Sequence, residues 1–182
     1  AMTEIKHNHH DIAAFVDSPM AVRVTEVFRR HPDFFDEEAA ALLRAGNHPC
    51  DFAGLHMSRT VAESKAINNI EGSTVIIAGS GMCTGGRVKH HLVANIEREG
   101  STVLFVGYQA VGTLGRIILD GKKAVRIHGK TRTVRADVRK ISGFSAHADR
   151  DELLRWITGL SRPPQHVFVT HGEPESAGKY AA

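Results

Sequence analysis

The stretch Ser73–Glu97, STVIIAGSGMCTGGRVKHHLVANIE, changes character twice. It opens on a short, β-branched apolar run, STVIIA. It passes through a glycine-rich loop, GSGMCTGG, and enters a helical pattern with Val88, Leu92 and Ile96 on one face. An apolar strand that feeds a loop and then an amphipathic helix is half of a parallel βαβ unit. The following residues repeat the order: STVLFV is a second apolar strand and GTLGRIIL a short helix. Strands apolar on both sides, alternating with helices, predict a parallel sheet covered on both faces.

The glycine loop itself excludes two nucleotide motifs. Gly81 and Gly86 have the spacing of a phosphate-binding loop, but Arg87 and Val88 follow where Lys and Ser or Thr must reach phosphate and magnesium. Gly79 and Gly81 could open a dinucleotide turn, yet the next glycine, Gly85, comes one residue too late. What is left is a run of four glycines before a helix. Such a loop offers bare N–H groups to an anion, or simply turns tightly.

Upstream, DIAAFVDSP reads as a strand over Ile12–Val16, stopped by Asp-Ser-Pro. MAVRVTEVFRRH has helical spacing through Val22, Val24, Val27 and Phe28. DEEAAALLRAG is a second helix, acidic in its first turn and closed by Gly46, FAGLHM a weak strand, and SRTVAESKAINNI another helix. Downstream of Lys123 the period becomes two. Val125 and Ile127, then Val134, Ala136 and Val138, alternate with basic residues, which predicts an antiparallel hairpin with one wet, basic face. Asp149 and Glu152 have capping-box spacing ahead of LLRWI. HVFVT is expected to be a buried strand, and HGEPES a loop that starts a helix.

Composition narrows the class. The chain has 182 residues, 42% of them hydrophobic, and no apolar run near the ~20 residues a bilayer span requires. The N-terminus is polar where a signal peptide would be apolar, so a soluble, cytoplasmic protein with no membrane partner is expected. The two cysteines, Cys50 and Cys83, form no disulfide framework and no CxxC pair, and are expected to be buried thiols. The formal net charge is +3, but Arg116–Lys140 holds nine Lys or Arg against Asp120 and Asp137, a local +7. A basic segment on an otherwise acidic chain suits a polyanion such as RNA or DNA, and equally suits a solvated hairpin face.

Two histidines stand at the ends of predicted elements. His147 lies in ISGFSAHAD before a capped helix, and His171 follows the apolar run HVFVT. Each is flanked by small residues, which fits a ligand or proton donor, though a loop histidine is more often structural. His31, His48, His56, His90, His91 and His128 read as structural or solvated.

The motifs DSPMA, SGMCTGGRVKHHL, VGYQAVGTLGR, ISGFSAHADRDELLRWI and VFVTHGE occur in that order between about Val16 and Pro174. This ordered set resembles the metallo-β-lactamase nucleases of the β-CASP type, which include bacterial RNases and the endonuclease subunit of mRNA 3′-end processing. The resemblance implies a site with two zinc ions between a metallo-β-lactamase domain and an inserted β-CASP domain. It implies that His147 donates a proton to the leaving oxygen or steadies the scissile phosphate, that Ser145 touches that phosphate, and that His171 is a zinc ligand. Ser80, Gly81, Met82, Gly85, Gly86 and Arg87 would lie along the RNA backbone. Asp17 and Ser18 would flank the cleft, and Arg116, which closes the third motif, joins the RNA-binding set. Two metals can activate water for in-line displacement, and a histidine can protonate the departing 3′ oxygen.

The family's H-x-H-x-D-H motif, its bridging Asp, its motif A acid and its FAxGRxQE segment have no counterpart here. His7, His9 and Asp11 match the first part of the metal motif, but Ile12 occupies the sixth place and the segment adjoins DSP directly. It is expected to be a polar lead-in to a strand. The expected fold is therefore α/β: a β-CASP-like parallel sheet with helices on both faces over residues 11–122, and a partial metallo-β-lactamase segment with an antiparallel hairpin over 123–182. The expected function is that of a fragment, or a natural short form, of a zinc-dependent ribonuclease. Its partners would be RNA and the missing N-terminal lactamase half, with a homodimer formed through uncovered sheet edges. His171 alone falls short of the three ligands a catalytic zinc needs, so this chain is expected to hold no zinc stably and to cleave little. The alternatives are a non-catalytic RNA-binding module or inactive family member, and a lactamase-fold hydrolase of small molecules.

Overall fold

The computed structural model describes residues 12–48, 51–144, 147–170 and 172–181. His7, His9, Asp11, Cys50, Ser145 and His171 lie outside these described residues.

The first half is built around β1 (Ala13–Val16). Helix α1 (Pro19–Arg30) follows at once, because Ser18 accepts the Ala21 N–H on its hydroxyl and Pro19 needs no partner in the first turn. A 3-10 turn, Pro32–Phe34, leads to α2 (Glu37–Arg44), capped by Asp36 through the Ala39 N–H. The chain then returns as β2 (Leu55–Met57) and enters α3 (Val61–Ala66) through the Thr60–Glu63 capping box, which a 3-10 turn, Ile67–Asn69, continues. Next comes β3 (Thr74–Ile77). The strands pair in parallel with β1 in the middle, in the order β2-β1-β3. If both crossovers take the usual right hand, that order puts α1 and α2 on one face and α3 on the other.

The second half begins with α4 (Val88–Asn95), β4 (Thr102–Phe105) and α5 (Leu114–Leu119). The hairpin β5 (Ala124–Ile127) and β6 (Lys130–Thr133) follows, then β7 (Asp137–Lys140), α6 (Arg150–Thr158) and α7 (Pro174–Ala181). A contiguous core of Cys83, Leu92, Ile96, Phe105, Ile118, Val125 and Ile127 joins the glycine loop, α4, β4, α5 and the hairpin. Each large side chain removed from water there contributes about 1.5–3 kcal/mol. The Ile96 carbonyl, left without an intrahelical partner at the end of α4, accepts the N–H groups of Arg135 and Ala136 at 2.9 and 3.0 Å.

Four expectations change. The α/β fold with a parallel sheet and an antiparallel hairpin is as expected, but β4 does not join the β1–β3 sheet and pairs instead with β7. The hairpin's return strand is Lys130–Thr133 and not the later Val134–Val138 run. His128 and Gly129 both have positive φ, 48° and 78°, which makes a two-residue primed turn and fixes the Ile127–Lys130 register. Val138 belongs instead to β7, which pairs with β4. Third, β3 is half-buried on one face and open on the other, with Val75 and Ile77 37% and 47% exposed. Fourth, the run HVFVT is no strand and is largely exposed, Phe168 by 84%, because no neighbouring strand among the described residues pairs with it. In α1, similarly, only Val22 is buried; Val24, Val27 and Phe28 face solvent. No helix among the described residues is long and apolar enough to cross a membrane.

Candidate nucleic-acid interface

Strands β1 and β3 are adjacent and parallel, so the loops that follow them leave the sheet at the same carboxyl end, where open α/β sheets place their ligand crevice. Here those loops are the Asp17–Ser18 turn and the glycine loop. They touch: a Cβ added at Gly79 would stand 3.6 Å from the Ser18 hydroxyl.

Beneath the crevice lies a buried charge network. Asp17 is fully buried, and its carboxylate accepts from Ser64 Oγ at 2.6 Å and Arg87 Nη1 at 2.6 Å, while His91 Nε2 stands 2.5 Å away. Arg87 also donates to the carbonyls of Ser58 and Arg59. Burial pushes the Asp17 carboxyl upward, but the hydrogen bonds from Ser64, His91 and Arg87 outweigh it and hold the group below its ordinary value. An ionised Asp17 accepts the Nε2 proton of His91, which leaves His91 Nδ1 buried without a partner among the described residues. Asp17 thus has no surface to offer RNA, and the contact expected of it is replaced by a bracing role. Arg87 is turned the same way, its side chain 16% exposed.

The glycine loop is tied into a compact knot by its first serine. Ser80 Oγ accepts the N–H groups of Thr84 and Gly85, and the Ser80 N–H and C=O close on Gly85 and Cys83. Gly86 has φ +73°, and a Cβ there would fall 2.5 Å from the Gly79 carbonyl oxygen, so only glycine fits. Cys83 is buried under the knot, and desolvation pushes its thiol up to about 11. Among the described residues no hydrogen bond reaches the N–H of Gly81, Met82 or Gly86. Gly81 and Gly86 are exposed and Met82 half-buried. Three open amides on one loop are what an anion-binding loop needs.

A second loop, after β4, docks on the first. Gln109 is 3% exposed, and its amide Nε2, with two protons to share, stands 3.0, 3.0 and 3.3 Å from the carbonyl oxygens of Gly81, Tyr108 and Gly107. The Gly115 N–H donates to the Met82 carbonyl at 3.0 Å. On its other side this loop meets Glu173, which accepts from the Tyr108 hydroxyl and from the Val111 N–H.

The remaining site candidates lie at the surface. Arg116 donates from Nε to both oxygens of Asp120, and that carboxylate raises the guanidinium further above its usual range. His147 is exposed, two residues before the α6 cap Asp149. The hairpin exposes Arg126 and Lys130, whereas Arg132 turns to Glu97. Ser80, Gly81, Met82, Gly85, Gly86 and Ser18 therefore gather at one crevice, Asp17 and Arg87 support it from below, and Arg116 stands outside that cluster. Gln109, His91, Ser64 and Glu173 were not singled out from sequence. The one signal for Gln109 was a polar side chain within VGYQAVGTLGR, directly after an apolar strand.

A glycine loop at the carboxyl end of a parallel sheet, leading into a helix, places the chain among α/β proteins. The chain belongs to the Beta-Casp domain family, whose profile matches residues 1–118. Residues 131–182 match the Zn-dependent metallo-hydrolase RNA specificity domain. The chain is similar to Ribonuclease TTHA0252 of Thermus thermophilus, 42% identical over 161 residues, covering 88% of this chain and 36% of that protein. It is also similar to Transcription termination factor FttA of Methanocaldococcus jannaschii, 30% identical over 168 residues, covering 89% of this chain and 26% of the relative. The Methanosarcina mazei FttA is 30% identical over 173 residues, covering 91% and 27%. The chain thus spans about a third or less of the length of these relatives.

Proposed function

We propose that this chain forms the RNA-contacting part of a zinc-dependent ribonuclease that hydrolyses RNA phosphodiester bonds. The observation that carries this reading is the set of N–H groups at Gly81, Met82 and Gly86 left without a partner among the described residues, on the loop that follows β3. Backbone amides fixed in this way accept phosphate oxygens without regard to base, so RNA is held by its backbone. The exposed Arg126 and Lys130 add a salt-sensitive attraction. Ser18 borders the glycine loop, and Arg116, outside the cluster, is a further RNA contact in this reading, which suits a cytoplasmic protein.

His147 is assigned as the proton donor to the leaving 3′ oxygen, Ser145 as a phosphate contact and His171 as a zinc ligand. Zinc, where bound, supplies the activated water. Among the described residues no three His, Cys, Asp or Glu side chains come together to hold a metal, so its ligands would have to include residues beyond these, His171 among them. Binding with little turnover is the expected behaviour of this chain.

The test is a titration of fluorescent single-stranded RNA at several salt concentrations, with a parallel cleavage assay in added zinc. Binding that weakens steeply with salt and falls at least about tenfold in Gly86→Ala supports the reading. Absence of binding, or binding indifferent to Gly86→Ala, overturns it. Robust turnover abolished by His147→Ala would overturn the expectation of low activity. A homodimer through the uncovered sheet edges is checked by sedimentation of the same sample.

A further inference from the structure

We infer that Gln109 is a positioning residue that aims the Met82 N–H at RNA from outside the contact surface. This rests on the RNA-binding reading above. In a trans peptide the C=O of one residue and the N–H of the next point in opposite directions within one rigid plane. The direction of each open amide on the glycine loop is therefore set by whatever holds the preceding carbonyl. The Ser80 carbonyl accepts the Cys83 N–H, which aims the Gly81 amide away from the knot. The Gly85 carbonyl accepts the Ser80 N–H, which does the same for Gly86. Both holders lie within the loop. The Gly81 carbonyl is held by Gln109, 28 residues away, and its plane carries the Met82 N–H.

The orientation of Gln109 leaves no choice of atom. Three carbonyl oxygens surround its nitrogen, so the amide group must face them with its N–H side. Its Oε1 is buried without a partner among the described residues and lies against Gly115, where an added Cβ would come within 1.9 Å. A side chain that fills its slot this tightly, and leaves a polar atom unpaired to do so, has little freedom to swing. Neighbouring contacts reinforce it: the Gly115 N–H holds the Met82 carbonyl, the other end of the same residue.

The test compares Gln109→Met, which keeps the shape and removes the donors, with the unaltered chain in RNA titrations across salt. Loss of one amide-to-phosphate bond predicts roughly tenfold weaker binding. An amide is neutral and releases no counterion, so the slope of log affinity against log salt should not change, whereas Lys130→Ala should flatten it. The binding-competent fraction should also stay constant. Unchanged affinity in Gln109→Met overturns the inference, as does a loss that appears only as a smaller active fraction. If the variant does not fold, amide NMR of the unaltered chain decides. A Met82 N–H shift on RNA addition supports the inference, and its absence while Gly81 and Gly86 shift overturns it. Failure of the unaltered chain to bind RNA overturns the RNA-binding reading itself, a result distinct from these.

Discussion

The Tyr108 hydroxyl donates to the carboxylate of Glu173, which also accepts the Val111 N–H at 3.5 Å. The loop after β4 is thereby held on two sides, by Glu173 at its outer edge and by the Gln109 contacts at the glycine loop. The hydrogen bond to Glu173, and then partial burial and the negative charge, raise the Tyr108 phenol above its ordinary value of 10.0. Ultraviolet titration in a Tyr180→Phe background should place the Tyr108 midpoint above 10.0, and Glu173→Gln should bring it down. A midpoint indifferent to Glu173→Gln would show that the two side chains do not meet in solution.

Asp17 and Arg87 form the buried pair on which the crevice stands, 2.6 Å apart and 70 residues apart in sequence. Removing one partner of a buried pair leaves the other charge without compensation. Asp17→Asn should cost about 3 kcal/mol in urea unfolding, at the low end because Arg87 keeps some access to water. A loss under about 1 kcal/mol would mean that the network is not closed in solution.

Cys83 is 3% exposed, and its thiol is pushed up to about 11 by burial. Only the thiolate reacts, and at pH 8 about one Cys83 in a thousand is ionised. A disulfide reagent followed by peptide mass spectrometry should label Cys83 only as the chain unfolds. Rapid native labelling of that peptide at pH 8 would contradict the packed loop.

What the sequence disclosed and what it hid follow one division. The capping box at Asp149, the acidic first turn of α2 and the stop at Asp-Ser-Pro were legible because they depend on residues within one helical turn. The glycine loop was legible because four glycines before a helix constrain the backbone in any context. The pairing of β7 with β4 was not, since a parallel partner can lie anywhere in the chain and leaves no local mark. HVFVT carries the composition of a buried strand, but strand formation is decided by a neighbour, and among the described residues none pairs with it. Arg87 shows the same limit at the site. The family resemblance set it along the RNA backbone, while the carboxylate that holds it, Asp17, is remote in sequence. For His147 and Ser145 the ordered motifs named roles that composition and spacing alone had left open.

Gly86 tests the loop geometry most directly. Its φ of +73° disfavours any side chain, and the Gly79 carbonyl oxygen 2.5 Å from an added Cβ belongs to backbone, which cannot rotate away as a flexible side chain would. Gly86→Ala should therefore cost about 2 kcal/mol through strain. It should also break the Val88 N–H bond to the Gly79 carbonyl that starts α4.

Asp17, the buried one among the carboxyls held below their ordinary values, should contribute to the acid limb of the stability curve. Its folded-state value lies below the ordinary 3.8, because the hydrogen bonds of Ser64, His91 and Arg87 outweigh the opposing effect of burial. A carboxyl depressed on folding binds fewer protons in the native state than in the unfolded chain. Its contribution is therefore complete above the unfolded value of 3.8 and is lost as pH falls through the lower folded value. Unfolding free energies of the unaltered chain and Asp17→Asn, measured from pH 7 downward, should differ by a constant amount to about pH 5 and converge below 3.8. A gap that widens on acidification would reverse the sign and mean that Asp17 is protonated in the folded protein.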